Sequence, residues 1–135
     1  MSDHLKEIPP AAHLLGREIV SADRNSGEVK LRFTAKKEFA NRHGTVQGGM
    51  LAAMLDSATG NAVMVRLPSH LTAVTTRLDT QFLRPAALGP MTATARLVRQ
   101  DDRLAEVTAE LIDVEGQIVA TARAELRVRE RKNQS

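Results

Sequence analysis

One carboxylate interrupts an otherwise uncharged stretch of this chain: from Gly48 through Val65, Asp56 is the only charged residue. Taking a carboxylate out of water is costly, so in so apolar a segment it must be paired, protonated or set at a water-lined site. Unexplained charges of this kind concentrate at active sites, where a carboxylate serves as general base or nucleophile. Two structural readings compete: Asp56 caps a second helix that starts there, with Ser57 and Thr59 nearby, or it makes one structural hydrogen bond.

Gly48 and Gly49 stand at the head of the same segment. At a helix start, free backbone N–H groups and the positive end of the helix dipole make a site for an anion or a developing oxyanion. Two glycines let a ligand approach that backbone with no Cβ in the way, although a turn needing positive φ explains them as well. The preceding loop carries Asn41, His43 and Gln47, polar side chains that can orient water or polarise a carbonyl. None of His4, His13, His43 and His70 has metal-ligand spacing, so no metal is expected. Neither a Gly-x-Ser-x-Gly elbow nor a phosphate-binding glycine motif occurs.

Spacing constrains how these groups cooperate. Nine positions separate Gln47 from Asp56, which on a helix is about 900° of rotation and about 13 Å of rise. The two side chains then point to opposite sides. A two-fold pair of chains with antiparallel neighbouring helices removes the conflict, each helix offering its start to one site and its Asp56 to the other.

The elements that hold these groups follow from periodicity. A short helix is expected over 9–16, between Pro9-Pro10 and Gly16. Strands at 17–24 and 28–34 flank Asn25-Ser26-Gly27, a hairpin signal. The segment 48–66 is apolar on nearly all sides and reads as a helix buried within the protein, too short and too polar for a membrane span. Four alternating strands follow, and their apolar faces are expected at Val74, Thr76, Leu78, Thr80 and Phe82; at Met91 to Leu97; at Ala105 to Leu111; and at Ile118 to Val128. Breaks fall at 85–90, 100–103 and 113–117, with Glu115-Gly116 as a tight turn. Two strands, one helix, then four strands in a meander give an α+β fold: a curved antiparallel sheet wrapped around one long central helix.

Composition bounds the rest. The 135 residues make a single domain, 1–135, with 1–9 and 130–135 expected as flexible ends. There is no cysteine, and the start is polar with no secretory pattern, so a cytoplasmic protein is expected. The net charge is +3, all of it accounted for by the segment Arg123 to Lys132. Without Trp or Tyr to stack on bases, that segment reads as a solvated strand end and not as a nucleic-acid surface.

Asn41-Arg-His-Gly-Thr-Val-Gln-Gly-Gly49, then Met50 through Ala58 with Asp56, then Phe82-Leu-Arg-Pro-Ala86, resembles the hotdog-fold acyl-CoA thioesterases of the phenylacetic acid degradation (PaaI-like) type. The likeness in element order runs over about residues 10 to 130. Its most specific part is Asn-x5-His-Gly-Gly-x6-Asp, with the spacing kept at Asn41, Gln47, Gly48, Gly49 and Asp56. The resemblance implies hydrolysis of an acyl-CoA to free acid and CoA, with no cofactor, since CoA is part of the substrate. It also implies a homodimer, doubled to a tetramer, whose sheets join edge to edge. In those roles Asp56 is general base or nucleophile, the Gly48 N–H holds the oxyanion with Gln47, and Asn41 positions water or Asp56. Gln47 stands where the family has His; its amide still donates a hydrogen bond but cannot transfer a proton.

Gly49 and His43 are expected near the substrate. Thr75 falls where many relatives carry a water-orienting Ser or Thr, whereas strand alternation turns Thr76 towards the helix. Arg84 and Arg66 are candidates for the CoA phosphates. Two alternatives remain open: a non-catalytic acyl-CoA binding protein, and a hotdog thioester dehydratase or hydratase using His43.

Overall fold

Alternation explains most of the sheet. In the computed structural model, which describes residues 3–132, β2 (Glu28–Ala35) buries Val29, Leu31, Phe33 and Ala35 and exposes the residues between them. β5 (Leu104–Ile112) buries Ala105, Val107, Ala109 and Leu111 in the same manner. Met91, Ala93 and Ala95 do so in β4 (Gly89–Gln100), and Ala120, Ala122, Ala124 and Leu126 in β6 (Ile118–Glu130). β1 (Glu18–Asp23) forms a hairpin with β2.

The turn of that hairpin is set by Asp23, whose carboxylate accepts the Asn25 N–H at 2.8 Å, and by Gly27 at φ +74°. A Cβ on Gly27 would lie 2.9 Å from the Leu97 Cβ, so the position admits only glycine. The turn at Gly116, φ +83°, falls where the dipeptide predicts it.

The apolar face surrounds α3 (Gly48–Met64), which packs against β2, β3 (Leu71–Phe82), β4, β5 and β6. Leu51, Met54, Leu55, Ala58, Ala62 and Val63 of α3 are buried there with Leu31, Phe33, Met91 and Leu111. Each large side chain so enclosed contributes about 1.5–3 kcal/mol. The sheet-around-helix plan is thus present, but the strands do not run as a simple meander. The spatial order is β1-β2-β4-β5-β6-β3. β4, β5 and β6 follow one another; β3 lies at the far edge, paired with β6 and not with β4. Residues 83–88 carry the chain back along one end of the sheet, tied by Leu83 N–H to Val119 O (2.9 Å) and by Val46 N–H to Ala86 O (2.9 Å).

Over the described residues the start of the chain packs onto the fold. Asp3–Lys6 form a short helix, α1, which buries Leu5 in the core and His4 beside it, where His4 Nε2 donates to Pro68 O at 3.0 Å. The second short helix, α2 (Pro10–Leu14), ends at Gly16 (φ +65°), which lies close against Thr34. Residues 1, 2 and 133–135, part of the expected flexible ends, fall outside the described residues.

Candidate functional site

Asp56 sits at the middle of α3 and is exposed in the single chain, so it is not sealed in apolar surroundings. The helix is not apolar on every side: Gly49, Ala53, Asp56, Ser57, Gly60 and Met64 form a face that is at most half-buried. α3 runs unbroken through Asp56, so no second helix starts there for it to cap. Thr59 bonds back to the Leu55 and Asp56 carbonyls instead, at 3.0 and 3.1 Å.

The partner of Asp56 comes from β3. The Thr75 hydroxyl donates to Asp56 Oδ1 at 2.7 Å. Strict alternation places Thr76 on this side, and the structure reverses that expectation. Thr75 pairs with Leu126 and Arg77 with Glu125, which leaves Thr76 as an extra residue in a β-bulge. Its hydroxyl donates to Glu125 O at 3.1 Å and has no contact with Asp56. The bulge changes the phase of the strand. Before it Leu71, Ala73 and Thr75 face the helix; after it Leu78 does, while Val74 is turned outward. The signal is present in Leu71 and Ala73, which are out of phase with Leu78, Thr80 and Phe82.

Asp56 and Thr75 open into a groove of about 580 Å³ between α3, β3 and the N-terminal segment. Its walls include Ala53, Ser57, Gly60 and Met64 of the helix and Ala73 of β3, with Leu15 and Arg17 opposite. Arg17 is half-buried, and that burial pulls its guanidinium below the ordinary arginine range. By sequence Arg17 reads only as the first residue of a strand. A depression of similar volume lies on the outer face of the sheet, among Asp79, Thr94, Arg96, Glu110 and Arg123, and shares no residue with the groove.

The start of α3 forms a separate locus. Gln47 precedes the helix; its N–H is held by Phe39 O at 2.8 Å, and its side chain is exposed and does not cap the helix. The Gly48 and Gly49 N–H groups, as the first two of the helix, have no intrahelical acceptor. The Phe82 ring lies 3.5 Å from where a Gly48 Cβ would stand, and the space beside Gly49 is open.

Asn41 folds the preceding loop. Its side-chain oxygen accepts the His43 and Thr45 N–H groups at 2.9 and 3.2 Å, and its amide donates to Thr45 Oγ at 3.0 Å. His43 is exposed at the loop tip. Arg84 is exposed beyond Phe82 and donates to Ile118 O at 3.1 Å. Arg66 lies past the other end of α3, where it donates to the Arg24 and Asn25 carbonyls of the β1–β2 turn. At 1.5 Å per residue that is about 27 Å from the helix start of the same chain.

The fold therefore joins Asp56 and Thr75 in one groove. Asn41, His43, Gln47, Gly48, Gly49 and Arg84 do not line it. On one chain, the carboxylate and the anion-binding helix start do not converge. Among the described residues no three acidic or histidine side chains gather to hold a metal, and no helix is long and apolar enough to cross a membrane.

Residues 43–120 match the family model described as the Thioesterase superfamily. Among solved structures, the chain is similar to a phenylacetic acid degradation-related protein from Ralstonia eutropha JMP134, at 37% identity and a TM-score of 0.87, covering 90% of this chain and 91% of that one. It is also similar to the E. coli PaaI protein from the phenylacetic acid degradation operon: 27% identity, TM-score 0.83, 92% of this chain and 87% of that one. For a point mutant of the phenylacetic acid degradation protein PaaI from Thermus thermophilus the values are 28%, 0.78, 88% and 98%.

Proposed function

Because this chain belongs to the thioesterase superfamily, in its PaaI-like hotdog branch, its chemistry is thioester hydrolysis, and we propose that its substrate is an acyl-CoA cleaved by Asp56. The observation that carries the reading is the Asp56 carboxylate itself. One oxygen is engaged by Thr75 at 2.7 Å, and the group opens into a groove large enough for a small acyl chain.

In the proposed reaction Asp56 takes a proton from a water held beside Thr75, and the water oxygen bonds to the thioester carbonyl carbon. The carbonyl oxygen becomes an oxyanion at the Gly48 N–H, with the Gln47 amide as a second donor. The intermediate then collapses. The C–S bond breaks, CoA leaves as the thiol with the proton relayed from Asp56, and the free acid remains. Attack by Asp56 on the carbonyl, giving an anhydride that water opens, uses the same groups. Asn41 serves by holding the loop that presents Gln47 and Gly48. Since Asp56 and Gly48 do not meet on one chain, the working site is assigned to a homodimer in which each copy supplies one of them. CoA enters as substrate, and the chemistry needs no cofactor. Gly49, Arg84 and His43 lie apart from the Asp56 groove and are assigned to the CoA side.

The test is thiol release from short, long and aromatic acyl-CoAs by wild type and Asp56→Asn. Loss of roughly 100-fold or more in kcat in a folded Asp56→Asn protein supports the reading. Wild-type turnover retained by that variant sinks it. Tight binding of acyl-CoA by the wild type with no thiol release marks a binding protein instead. An enoyl or 3-hydroxyacyl product with CoA retained marks a hydratase.

A further inference from the structure

The cation on the wall of the Asp56 groove has no assigned task. Arg17 lines that groove together with Asp56, on the side built by the N-terminal segment. It follows Gly16, whose positive φ and close approach to Thr34 swing the chain from α2 into β1. The guanidinium donates one hydrogen bond, from Nη2 to Glu7 O at 2.8 Å. Of its five N–H donors the remainder are not taken up by any carboxylate among the described residues.

The acidic groups nearby are already engaged. Glu7 is paired with Arg131 at 2.7 Å, and Asp56 accepts from Thr75. On the same walls Asn61 donates to Ser57 O at 2.7 Å, and His4 donates through Nε2 to Pro68 O while its buried Nδ1 has no hydrogen-bond partner among the described residues. Around them the lining is apolar, with Ala12, Leu15, Met64 and Leu126. A half-buried cation without a counter-ion is an unfavourable arrangement that a ligand oxygen would relieve.

We propose that Arg17 is a specificity-determining residue of the Asp56 groove, selecting acyl groups that end in an oxygen acceptor over acyl groups of equal length that end in methyl. This rests on Asp56 being the catalytic carboxylate. With the thioester carbonyl at Asp56, the acyl chain runs into the groove and its far end meets the guanidinium. The planar fork suits a carboxylate through two parallel hydrogen bonds, and a hydroxyl or keto oxygen through one.

The experiment uses three acyl-CoAs of equal chain length, ending in methyl, hydroxyl and carboxylate. Each is assayed for kcat/KM with the full-length wild type, Arg17→Met and Arg17→Lys. Wild type is expected to favour the oxygen-ended substrates by about tenfold or more, the energy of one charge-assisted hydrogen bond. In Arg17→Met the ratio of oxygen-ended to methyl-ended should fall to within about twofold of unity. Arg17→Lys should keep the preference for carboxylate, which separates a charge contact from a neutral hydrogen bond.

A purely structural role through Glu7 would slow all three substrates alike and leave the ratio in place; that result overturns the proposal. Equal kcat/KM for the three ends in wild type also overturns it while leaving the thioesterase reading intact. No turnover of any acyl-CoA by wild type overturns the reading of the site, and this proposal with it.

Discussion

Thr75 reaches Asp56 from across the groove, hydroxyl to Oδ1 at 2.7 Å, because Thr76 is left out of the pairing between β3 and β6. A hydroxyl that donates to one carboxylate oxygen fixes the rotamer of the acid and leaves the second oxygen to accept a proton from water. The same hydroxyl can accept a hydrogen bond from that water. Thr75 is therefore a positioning residue whose effect passes through Asp56.

Thr75→Val should lower kcat by roughly tenfold or more, the size of a hydrogen bond to a charged group. Thr75→Ser, which keeps the donor, should retain most of the wild-type rate. Thr76→Val, one position away, should change kcat by less than about twofold, since the Thr76 hydroxyl serves only Glu125 O. Equal losses in Thr75→Val and Thr76→Val would contradict the bulge geometry.

Two glycines should respond oppositely. Gly27→Ala forces a Cβ to 2.9 Å from that of Leu97 at a φ of +74°. It should cost about 1–2 kcal/mol or more in urea unfolding, from backbone strain alone. Gly49→Ala meets nothing within 4 Å and should leave the unfolding midpoint unchanged or slightly raised, since alanine is the better helix former. Its kcat/KM should nevertheless fall, because the new methyl stands beside the N–H groups assigned to the oxyanion. Full activity in a stable Gly49→Ala protein would remove the helix start from the site.

If the site is shared between copies, two inactive variants should rescue each other. Asp56→Asn mixed in equal amounts with Gly49→Val, after dissociation and reassociation, should recover about a quarter of wild-type activity. Half of the reassorted dimers are then mixed, and each holds one intact site of two. Thiol release that stays at the level of the separate variants would place the site within one chain.

Acid should weaken the fold through three identified carboxyls. The backbone N–H groups of Asn25 and Ser26 hold Asp23 below the usual range, and those of Arg103 and Leu104 do the same for Asp101. Arg123, donating to the carboxylate at 2.8 Å, holds Glu106 down. A carboxyl whose pKa is depressed in the folded state adds stability that is complete above its unfolded value and is lost as pH falls through the folded one. The urea midpoint should therefore be nearly flat from about pH 7 to about pH 5 and then drop below about pH 4. Asp101→Asn combined with Glu106→Gln should flatten that drop. An unchanged acid slope in the double variant would assign the effect to other groups.

Pattern alone resolves the faces of β2, β4, β5 and β6, because one side of each is buried and the side-chain period is two. The hairpin at Gly27, the turn at Gly116 and the long helix with Asp56 on it are legible for equally local reasons. Strand order is not. Nothing in the pattern of 71–82 says whether its neighbour is β4 or β6, since that depends on where α3 delivers the chain after crossing the sheet.

Alternation assigns Thr75 and Thr76 to the wrong sides because one unpaired residue inverts everything upstream of it. Arg17 escapes notice for a different reason. A single arginine at the start of a strand looks like solvent-facing charge until the N-terminal segment is seen to wall a groove. The family likeness supplies roles for Asp56, Gly48 and Gln47; the residues alone supply only their chemical aptitude and the mismatch of their directions on one helix.

The bulge in β3 also makes Thr76 the one residue of this strand that the ladder does not count. Deleting Thr76 would leave Thr75 opposite Leu126 and Arg77 opposite Glu125 in an uninterrupted ladder with β6. Leu71, Ala73, Thr75 and Leu78 would then share the helix side by plain alternation, and the aspartate would keep its hydroxyl neighbour. A three-base deletion of that codon would thus cancel a parity error in the coding sequence and not introduce one.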